Sequence, residues 1–120
     1  MKKIYVCSPY AGDTETNVRN ARKYCEYVVR KCGAIPIAPH LFFQQFLDDD
    51  NPNERQFGLE AGKQLIAECD ELWYFGDRVS KGMVSEMLKA KKENIRVRYI
   101  PDADVDKTLN GGKNNELSQE

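Results

Sequence analysis

The residues with the clearest chemical potential lie in a turn between a predicted strand and a predicted helix. Residues 76–86 read GDRVSKGMVSE, so that Ser80 can cap the helix and Glu86 falls early within it. The N-terminus of a helix presents free N–H groups and partial positive charge, which favour anionic or hydroxylated ligands. A carboxylate near that end can remain ionised, and Glu86 is therefore a candidate nucleophile. The alternative is an ordinary capped helix with a solvated glutamate near its start.

A second candidate segment follows the first predicted strand. Residues 8–13 read SPYAGD, and their short side chains and Gly12 allow a ligand to approach the backbone closely. Tyr10 offers a ring face for a base or a sugar. The alternative is a plain turn in which Asp13 or Thr14 caps the next helix. We predict ligand contacts in this segment at Ser8, Pro9, Tyr10, Gly12 and Asp13.

Other polar residues have weaker claims to a ligand. His40 is the only histidine and follows the second predicted strand, so it either contacts the ligand or simply packs. Arg55 and Arg78 fit either contacts to an anion, because a guanidinium pairs two phosphate oxygens at once, or exposed charges at helix ends. Residues 48–50 are three adjacent aspartates, which cannot all face one cation, and we interpret them as a solvated turn.

Composition limits the class of protein. A chain of 120 residues with 41% hydrophobic residues can close one core without disulfides or metal. A net charge of -1 gives no attraction to a nucleic-acid polymer or an anionic membrane, so we expect a small-molecule partner. The cysteines form no C-x-x-C pair and the start of the chain has no signal-peptide pattern. We therefore expect reduced thiols in the cytoplasm, no metal and no other cofactor.

The spacing of apolar residues predicts that strands and helices alternate along the chain. Short apolar runs predict strands over Lys3–Cys7, Ala34–Ala38, Asp70–Phe75 and Asn94–Ile100. Apolar residues at spacings of three and four predict helices from about Thr14 to Cys32, from a cap at Asn53 to Cys69, and onward from the cap at Ser80. Leu41–Leu47 fits one or two helical turns. Pro36 favours an edge position for the second strand, and Trp73 is expected in the core.

Two of these helices carry features that the packing must explain. Gly58 and Gly62 lie beside an apolar stripe formed by Phe57, Ala61, Leu65 and Cys69. Each glycine costs roughly 1 kcal/mol relative to alanine within a helix, so we expect something to need its small size. The predicted buried face of the last helix consists of Met83, Val84, Met87, Leu88 and Ala90.

The alternation of strands and helices predicts the fold class. Parallel pairing through right-handed crossovers gives an α/β, Rossmann-like or flavodoxin-like three-layer sandwich with a four- to five-stranded, mainly parallel sheet. Ligands of such sheets bind outside the carboxyl ends of the strands, where residues 8–13, Pro39-His40, residues 76–82 and the residues after Ile100 are expected to meet. We assign residues 1–100 to one domain. Residues 101–120 are rich in Asp, Asn, Gly and Lys, and we predict a polar, mobile tail.

Five short segments, in this order, resemble landmarks of the nucleoside 2-deoxyribosyltransferase-like superfamily. They are Tyr5-Val6-Cys7, the SPYAGD segment, Ala38-Pro39-His40, Cys69-Asp70 and the S-x-G-x-x-x-E run from Ser80 to Glu86. The resemblance covers roughly residues 3–100. It is closest to short bacterial and phage-type domains, and the deoxynucleoside 5'-monophosphate N-glycosidases are related to them.

This resemblance implies roles for particular residues. Glu86 matches a glutamate that attacks C1' of deoxyribose and forms a glycosyl-enzyme ester. Tyr5 matches the tyrosine that orients this glutamate, and Ser80 matches a serine that contacts a 5'-phosphate. The family also implies a homo-oligomer in which a neighbouring subunit completes the pocket. Gly62 departs from the pattern, since related enzymes carry there an aspartate thought to transfer a proton to the base.

Three hypotheses for function follow. The first is a nucleoside or nucleotide N-glycosidic-bond enzyme, a hydrolase or a transferase, with Glu86 as nucleophile and Tyr5 as its partner. Further ligand contacts are then predicted at Asp77, Ser80, Gly82 and Met83. The second is a nucleotide-binding or sequestering module with the same pocket and no chemistry, as Gly62 suggests. The third is a partner-binding domain that uses the aromatic segment Leu41–Leu47.

Overall fold

A computed structural model describes residues 1–111 as an alternation of strands and helices. The strands are β1 (Lys3–Cys7), β2 (Ile35–Ile37), β3 (Glu71–Phe75) and β4 (Arg96–Ile100). The helices are α1 (Thr14–Cys32), α2 (Pro39–Phe43), α3 (Pro52–Ile66), α4 (Lys81–Lys92) and α5 (Asp102–Asn110). No helix within these residues is long and apolar enough to cross a membrane.

The strands form one parallel sheet in the order β2-β1-β3-β4. Each pair of parallel strands needs a crossover, and the crossover helices cover both faces of the sheet. The predicted Rossmann-like, three-layer α/β class is confirmed, with four strands in the sheet. The edge position of β2, which contains Pro36, is confirmed as well.

Side-chain alternation along β1 divides the core into two layers. Ile4 and Val6 pack with the residues of α1 and α5 on one face of the sheet. Tyr5 and Cys7 pack with the residues of α3 and α4 on the other face. This division follows because successive residues of a strand point to opposite faces. Tyr5 and Cys7 therefore enter the layer that also holds Glu86, which lies on α4.

Local capping fixes where α1 and α4 begin and end. The Asp13 side chain caps α1 by accepting a hydrogen bond from the Thr16 N–H, and α1 ends at Gly33 with a φ of 62°. Positive φ is a conformation that glycine adopts without a steric penalty, as the sequence predicts for this position. Ser80 caps α4, also as predicted.

The second half of the β2–β3 connection differs from the prediction. The predicted cap of α3 at Asn53 is wrong: the cap is Asn51, two residues earlier, whose side chain accepts hydrogen bonds from the N–H groups of Asn53 and Glu54. Pro52 then occupies the first helical position, where its missing N–H costs nothing. The short helix predicted within Leu41–Leu47 begins earlier, at Pro39, and so includes His40.

Several apolar side chains predicted to be buried are exposed. On α4, Met83 and Ala90 are buried, whereas Val84 and Leu88 are 44% and 61% exposed. The sheet contacts a narrower stripe of this helix than the apolar pattern covers, and Val84 and Leu88 lie to one side of that stripe. On α3, Phe57 is 59% exposed. The predicted burial of Trp73 is confirmed.

The prediction of a polar tail from residue 101 is wrong for the described residues. Asp102–Asn110 forms α5, in which Val105 is 1% exposed and Leu109 packs against the same core layer. The Tyr24 hydroxyl also donates a hydrogen bond of 3.0 Å to Asp102. Two apolar residues one turn apart are too short a stripe to stand out in the sequence, yet they suffice because α1 offers a surface to pack on. Residues 112–120 of the predicted tail lie outside the described residues.

The burial of Val105 predicts that α5 contributes to the stability of the domain. Val105→Ala should lower the free energy of unfolding by about 1–3 kcal/mol, because it leaves a cavity in a closely packed layer. Lys107→Ala, at an exposed position of the same helix, should change it by less than about 0.5 kcal/mol. Urea denaturation of both variants measures the difference. Equal effects would contradict the packing of α5.

Candidate functional site

A cavity of about 430 Å³ opens beside the carboxyl ends of β1 and β3. Its walls come from the β1–α1 loop, from α2 and the loop that follows it, from α3, and from the start of α4. Its volume is within the range of sites that enclose small ligands. Nine of the predicted site residues line it, namely Tyr5, Ser8, Tyr10, Gly12, His40, Ser80, Gly82, Met83 and Glu86.

Glu86 is held in the cavity wall by a hydrogen bond from Tyr5. The Tyr5 hydroxyl lies 2.5 Å from Oε2 of Glu86, although the two residues are 81 positions apart in the chain. Tyr5 is only 1% exposed and sits on β1, while Glu86 lies in the second turn of α4. The pair therefore joins the central part of the sheet to the helix whose N-terminus faces the cavity.

Burial determines the protonation of this pair. Burial raises the pKa of Glu86, and hydrogen bonds from Tyr5 and Cys7 and the charge of Lys63 oppose that rise. Burial also raises the pKa of Tyr5 well above its usual value, and the negative charge of Glu86 adds to the effect. Tyr5 therefore keeps its proton and donates to Glu86. A largely desolvated carboxyl with a raised pKa beside a cavity is a candidate functional group.

The start of α4 forms one side of the cavity. Ser80 Oγ accepts a hydrogen bond of 3.2 Å from the Met83 N–H, and the Ser80 N–H contacts Met83 Sδ at 3.5 Å. The Ser80 hydroxyl proton has no acceptor among the described hydrogen bonds. Arg78 and Lys81 line the same part of the cavity. The positive charges of these two side chains and the partial positive charge of the helix N-terminus therefore lie on the same side of the cavity.

Two buried polar atoms of the cavity lining have no hydrogen-bond partner within residues 1–111. They are Ser8 Oγ and His40 Nε2, and Ser8 is 7% exposed. Burial lowers the pKa of His40 to about 4, so the ring is neutral near neutral pH. The His40 ring also packs edge-on against Tyr10, with the ring centroids 5.6 Å apart. Because buried polar groups are nearly always paired, these two atoms are ready to hydrogen-bond a ligand.

Three predicted contacts do not line the cavity among the described residues. Asp13 accepts from the Thr16 N–H and thereby caps α1, which was the alternative stated for it. Pro9 is buried and faces the turn at Gly76. Asp77 is exposed in the loop after β3. These residues shape the loops that carry the site and do not face its interior.

The walls contributed by α2, by the loop after it and by α3 were largely missed by sequence reasoning. The additional lining residues there are Pro39, Phe43, Gln44, Leu47, Asp48, Asp49, Glu54, Arg55, Gly58, Leu59 and Gly62. Of these, Arg55 was considered as an anion contact, and it lies 3.5 Å from Asp49. The aspartates were expected to be solvated, and Asp48 and Asp49 are exposed where they border the cavity. No group of three metal-ligating side chains occurs within residues 1–111.

Gly62 was noticed in the sequence for its cost to the helix, and the structure gives the reason. A Cβ at this position would lie 3.2 Å from the Tyr5 hydroxyl oxygen and 3.9 Å from Glu86 Oε2. Position 62 therefore directly faces the Tyr5–Glu86 pair. A Cβ at Gly58, one turn earlier and also in the cavity lining, would meet nothing within 4 Å. Only one of the two glycines is needed for close packing.

The two glycines provide a matched pair of variants. Gly58→Ala should raise the free energy of unfolding by up to about 1 kcal/mol, because alanine favours a helix. Gly62→Ala should lose that gain, because the buried and hydrogen-bonded Tyr5 has little room to move. Urea denaturation measures both. If Gly62→Ala were as stabilising as Gly58→Ala, the contact between α3 and Tyr5 would be looser than described.

Comparison with known proteins agrees with this fold. Residues 2–100 match the model of a family described as a domain of unknown function, DUF7768. A comparison with curated proteins gives no match. Among solved structures, the fold is similar to that of a 2-deoxyribosyltransferase from the psychrotolerant bacterium Bacillus psychrosaccharolyticus, with a TM-score of 0.63, 19% identity, and coverage of 82% of this chain and 72% of that chain. The resemblance to the deoxyribosyltransferases therefore holds at the level of the fold, and the chain belongs to the DUF7768 family.

Proposed function

We propose that the protein is an N-glycosidic-bond enzyme, a hydrolase or a transferase, that acts on a nucleoside or nucleotide with Glu86 as its nucleophile. One observation carries the proposal: the Tyr5 hydroxyl holds the partly buried Glu86 carboxyl, at 2.5 Å, in the wall of a ligand-sized cavity. A structural carboxyl gains nothing from burial beside a cavity, since burial disfavours its charged form. The similar fold of a 2-deoxyribosyltransferase supports a nucleoside as the ligand.

The proposed reaction has two steps at one carbon. An oxygen of the ionised Glu86 attacks C1' of the sugar, the bond from C1' to the base nitrogen breaks, and the bonding electron pair leaves with the base. Tyr5 keeps the carboxylate in place during the attack. In a hydrolase, water then attacks C1', the ester bond to Glu86 breaks, and the proton that the water loses neutralises the departed base. In a transferase, a second base displaces the carboxylate and its lost proton plays the same part. Either route returns Glu86 to its ionised form.

The remaining cavity residues are proposed to divide the ligand between two regions. Ser80, Gly82 and Met83 at the start of α4, with Arg78 and Lys81 beside them, suit a phosphate or a sugar hydroxyl. Ser8, Tyr10, Gly12 and the neutral His40 suit an uncharged part of the ligand, because the unpaired Ser8 Oγ and His40 Nε2 can hydrogen-bond it without a charge. We retain these residues as proposed contacts. We assign Asp13 to capping α1.

Gly62 favours a second candidate function, a nucleotide-binding module without turnover. Position 62 faces the Tyr5–Glu86 pair and has no side chain to protonate a departing base. In that case the ligand binds in the same cavity and remains intact. Binding without any product, even after long incubation, distinguishes this function from the enzyme.

Substitution of Glu86 tests the proposed enzyme. The purified protein is incubated with nucleosides, deoxynucleoside monophosphates and nicotinamide dinucleotides, and free base is followed by chromatography. The parent should release base from at least one class, and Glu86→Gln should reduce the rate by at least about a thousandfold, as for the loss of a covalent nucleophile. Release that continues unchanged in Glu86→Gln rules out the mechanism.

The same variant carries its own folding control. The raised pKa of Glu86 means that the folded state disfavours the charged carboxyl. The free energy of unfolding therefore falls as the pH rises from the pKa of Glu86 in the unfolded chain to its higher pKa in the folded protein. Near neutral pH, Glu86→Gln should therefore unfold at no lower temperature than the parent. A thermal shift on adding ligand, of similar size in both proteins, shows that the pocket is intact.

We also propose that the protein forms a homo-oligomer through an aromatic surface. Phe42, Phe46 and Phe57 are each about 60% exposed, and together with Phe43 they form a chain of edge-on ring contacts. Contiguous exposed apolar area of this kind often marks an interface. Phe43 also lines the cavity, so a neighbouring subunit on this surface would border the site.

Sedimentation equilibrium tests the oligomer. The parent should sediment as a multiple of its 13.8 kDa mass, and the double variant Phe42→Ser with Phe46→Ser should sediment as a monomer, because the apolar contact is lost. Val79→Ser, which changes an exposed apolar residue outside this surface, should leave the oligomer unchanged. A monomeric parent contradicts the proposed oligomer.

A further inference from the structure

Cys7 contacts the oxygen of the Glu86 carboxylate that Tyr5 does not contact. Its Sγ lies 3.4 Å from Glu86 Oε1 and 3.8 Å from the backbone oxygen of Met83. The side chain is fully buried, and it does not line the cavity. Tyr5 contacts Oε2 of the same carboxyl. Two residues of β1, two positions apart and therefore on one face of the strand, thus reach the two oxygens of a single carboxylate.

The chemistry of the two groups fixes the direction of the contact. An ionised carboxylate can only accept hydrogen bonds, whereas a thiol can donate one. Burial raises the pKa of the Cys7 thiol, and the negative charge of Glu86 and the hydrogen bond to it raise that pKa further. The thiol therefore keeps its proton near neutral pH and donates it toward Oε1. Each oxygen of Glu86 then has one donor of its own.

We propose that Cys7 is a positioning residue for Glu86, whose thiol holds Oε1 while the Tyr5 hydroxyl holds Oε2. The inference rests on the proposed function, in which Glu86 attacks a sugar carbon. The terminal torsion of a glutamate is broad, so one donor alone leaves the plane of the carboxylate free to turn. Donors on both oxygens select one orientation, and a fixed orientation favours attack in the bound complex. Cys7 forms no bond to the substrate.

The groups that act on the charge of Glu86 come from two elements. Tyr5 and Cys7 donate from β1, and Lys63 contributes its positive charge from α3. All three favour the ionised form, against the larger effect of burial. Loss of the Cys7 donor should therefore raise the pKa of Glu86 further. A cysteine that only fills space would leave this pKa unchanged when an apolar residue replaces it.

Cys69 supplies a matched control. It is also buried, packs in the same core layer as Cys7, and its thiol donates to the backbone oxygen of Leu65 at 3.3 Å. Cys7→Ala and Cys69→Ala therefore remove the same atoms from one layer. Only Cys7→Ala removes a donor from Glu86.

The test measures base release against pH and, separately, the ionisation of Glu86 by NMR of protein labelled with ¹³C at the glutamate carboxyls, with Glu86→Gln used to assign its signal. In Cys7→Ala the acid limb of kcat/KM and the Glu86 titration should both move to higher pH. Its kcat should fall by about tenfold, as for one hydrogen bond to a charged group, with KM within about twofold of the parent. Cys69→Ala should change neither titration nor kcat.

Two further variants keep the test decisive. Cys7→Ser retains a donor and should titrate closer to the parent than Cys7→Ala does. Cys7→Val lacks a donor but fills the space, and it replaces Cys7→Ala in the comparison if that variant fails to fold.

The outcomes separate this inference from the proposed function. An unchanged Glu86 titration in the folded variants that lack a donor overturns the role of Cys7. Absence of base release by the parent overturns the proposed function, and the NMR titration still decides whether Cys7 holds Glu86.

Discussion

The arrangement of the site depends on the position of β1 inside the sheet. This strand is hydrogen-bonded to β2 on one edge and to β3 on the other, so its side chains project only from the two faces of the sheet. The alternation that sends Ile4 and Val6 into one layer sends Tyr5 and Cys7 into the other. A shift of one residue in the register would reverse both sets and remove the donors from Glu86. Core packing and the geometry of the candidate site are therefore set by the same constraint.

The approach of α3 to this pair is the second constraint. Gly62 lets the helix backbone come close enough that a Cβ would lie 3.2 Å from the Tyr5 hydroxyl. The Tyr5–Glu86 pair is thus enclosed by the sheet, α3 and α4, and burial raises the pKa of its carboxyl. The same contact closes one wall of the cavity, while Ser8 and His40 leave unpaired polar atoms in the others. The close packing of α3 against Tyr5 thus also creates the surroundings that raise the pKa of Glu86.

Local patterns in the sequence were enough to predict β1, α1 and the capped start of α4. The signals for these elements are a short apolar run, a glycine at a helix end and a serine cap, and each depends only on residues that are close in the chain. The convergence of the carboxyl ends of parallel strands also predicted that Ser8 and His40 lie near the start of α4. The pairing of Tyr5 with Glu86 was implied only by the family resemblance, because no local pattern relates two residues 81 positions apart. The wall formed by α3 could not be predicted, because it depends on how a helix lies across the sheet. The packing of α5 was missed for a similar reason, since Val105 and Leu109 become a buried face only against α1.

The most direct test of the central claim is to look for the covalent intermediate. Turnover of the best substrate is stopped with acid after a few milliseconds to seconds, and the peptides of the protein are analysed by mass spectrometry. If Glu86 is the nucleophile, one peptide should gain the mass of the sugar or sugar phosphate, with the added group on Glu86. Base release without any such adduct, or an adduct on a different residue, would contradict the role of Glu86 as the nucleophile.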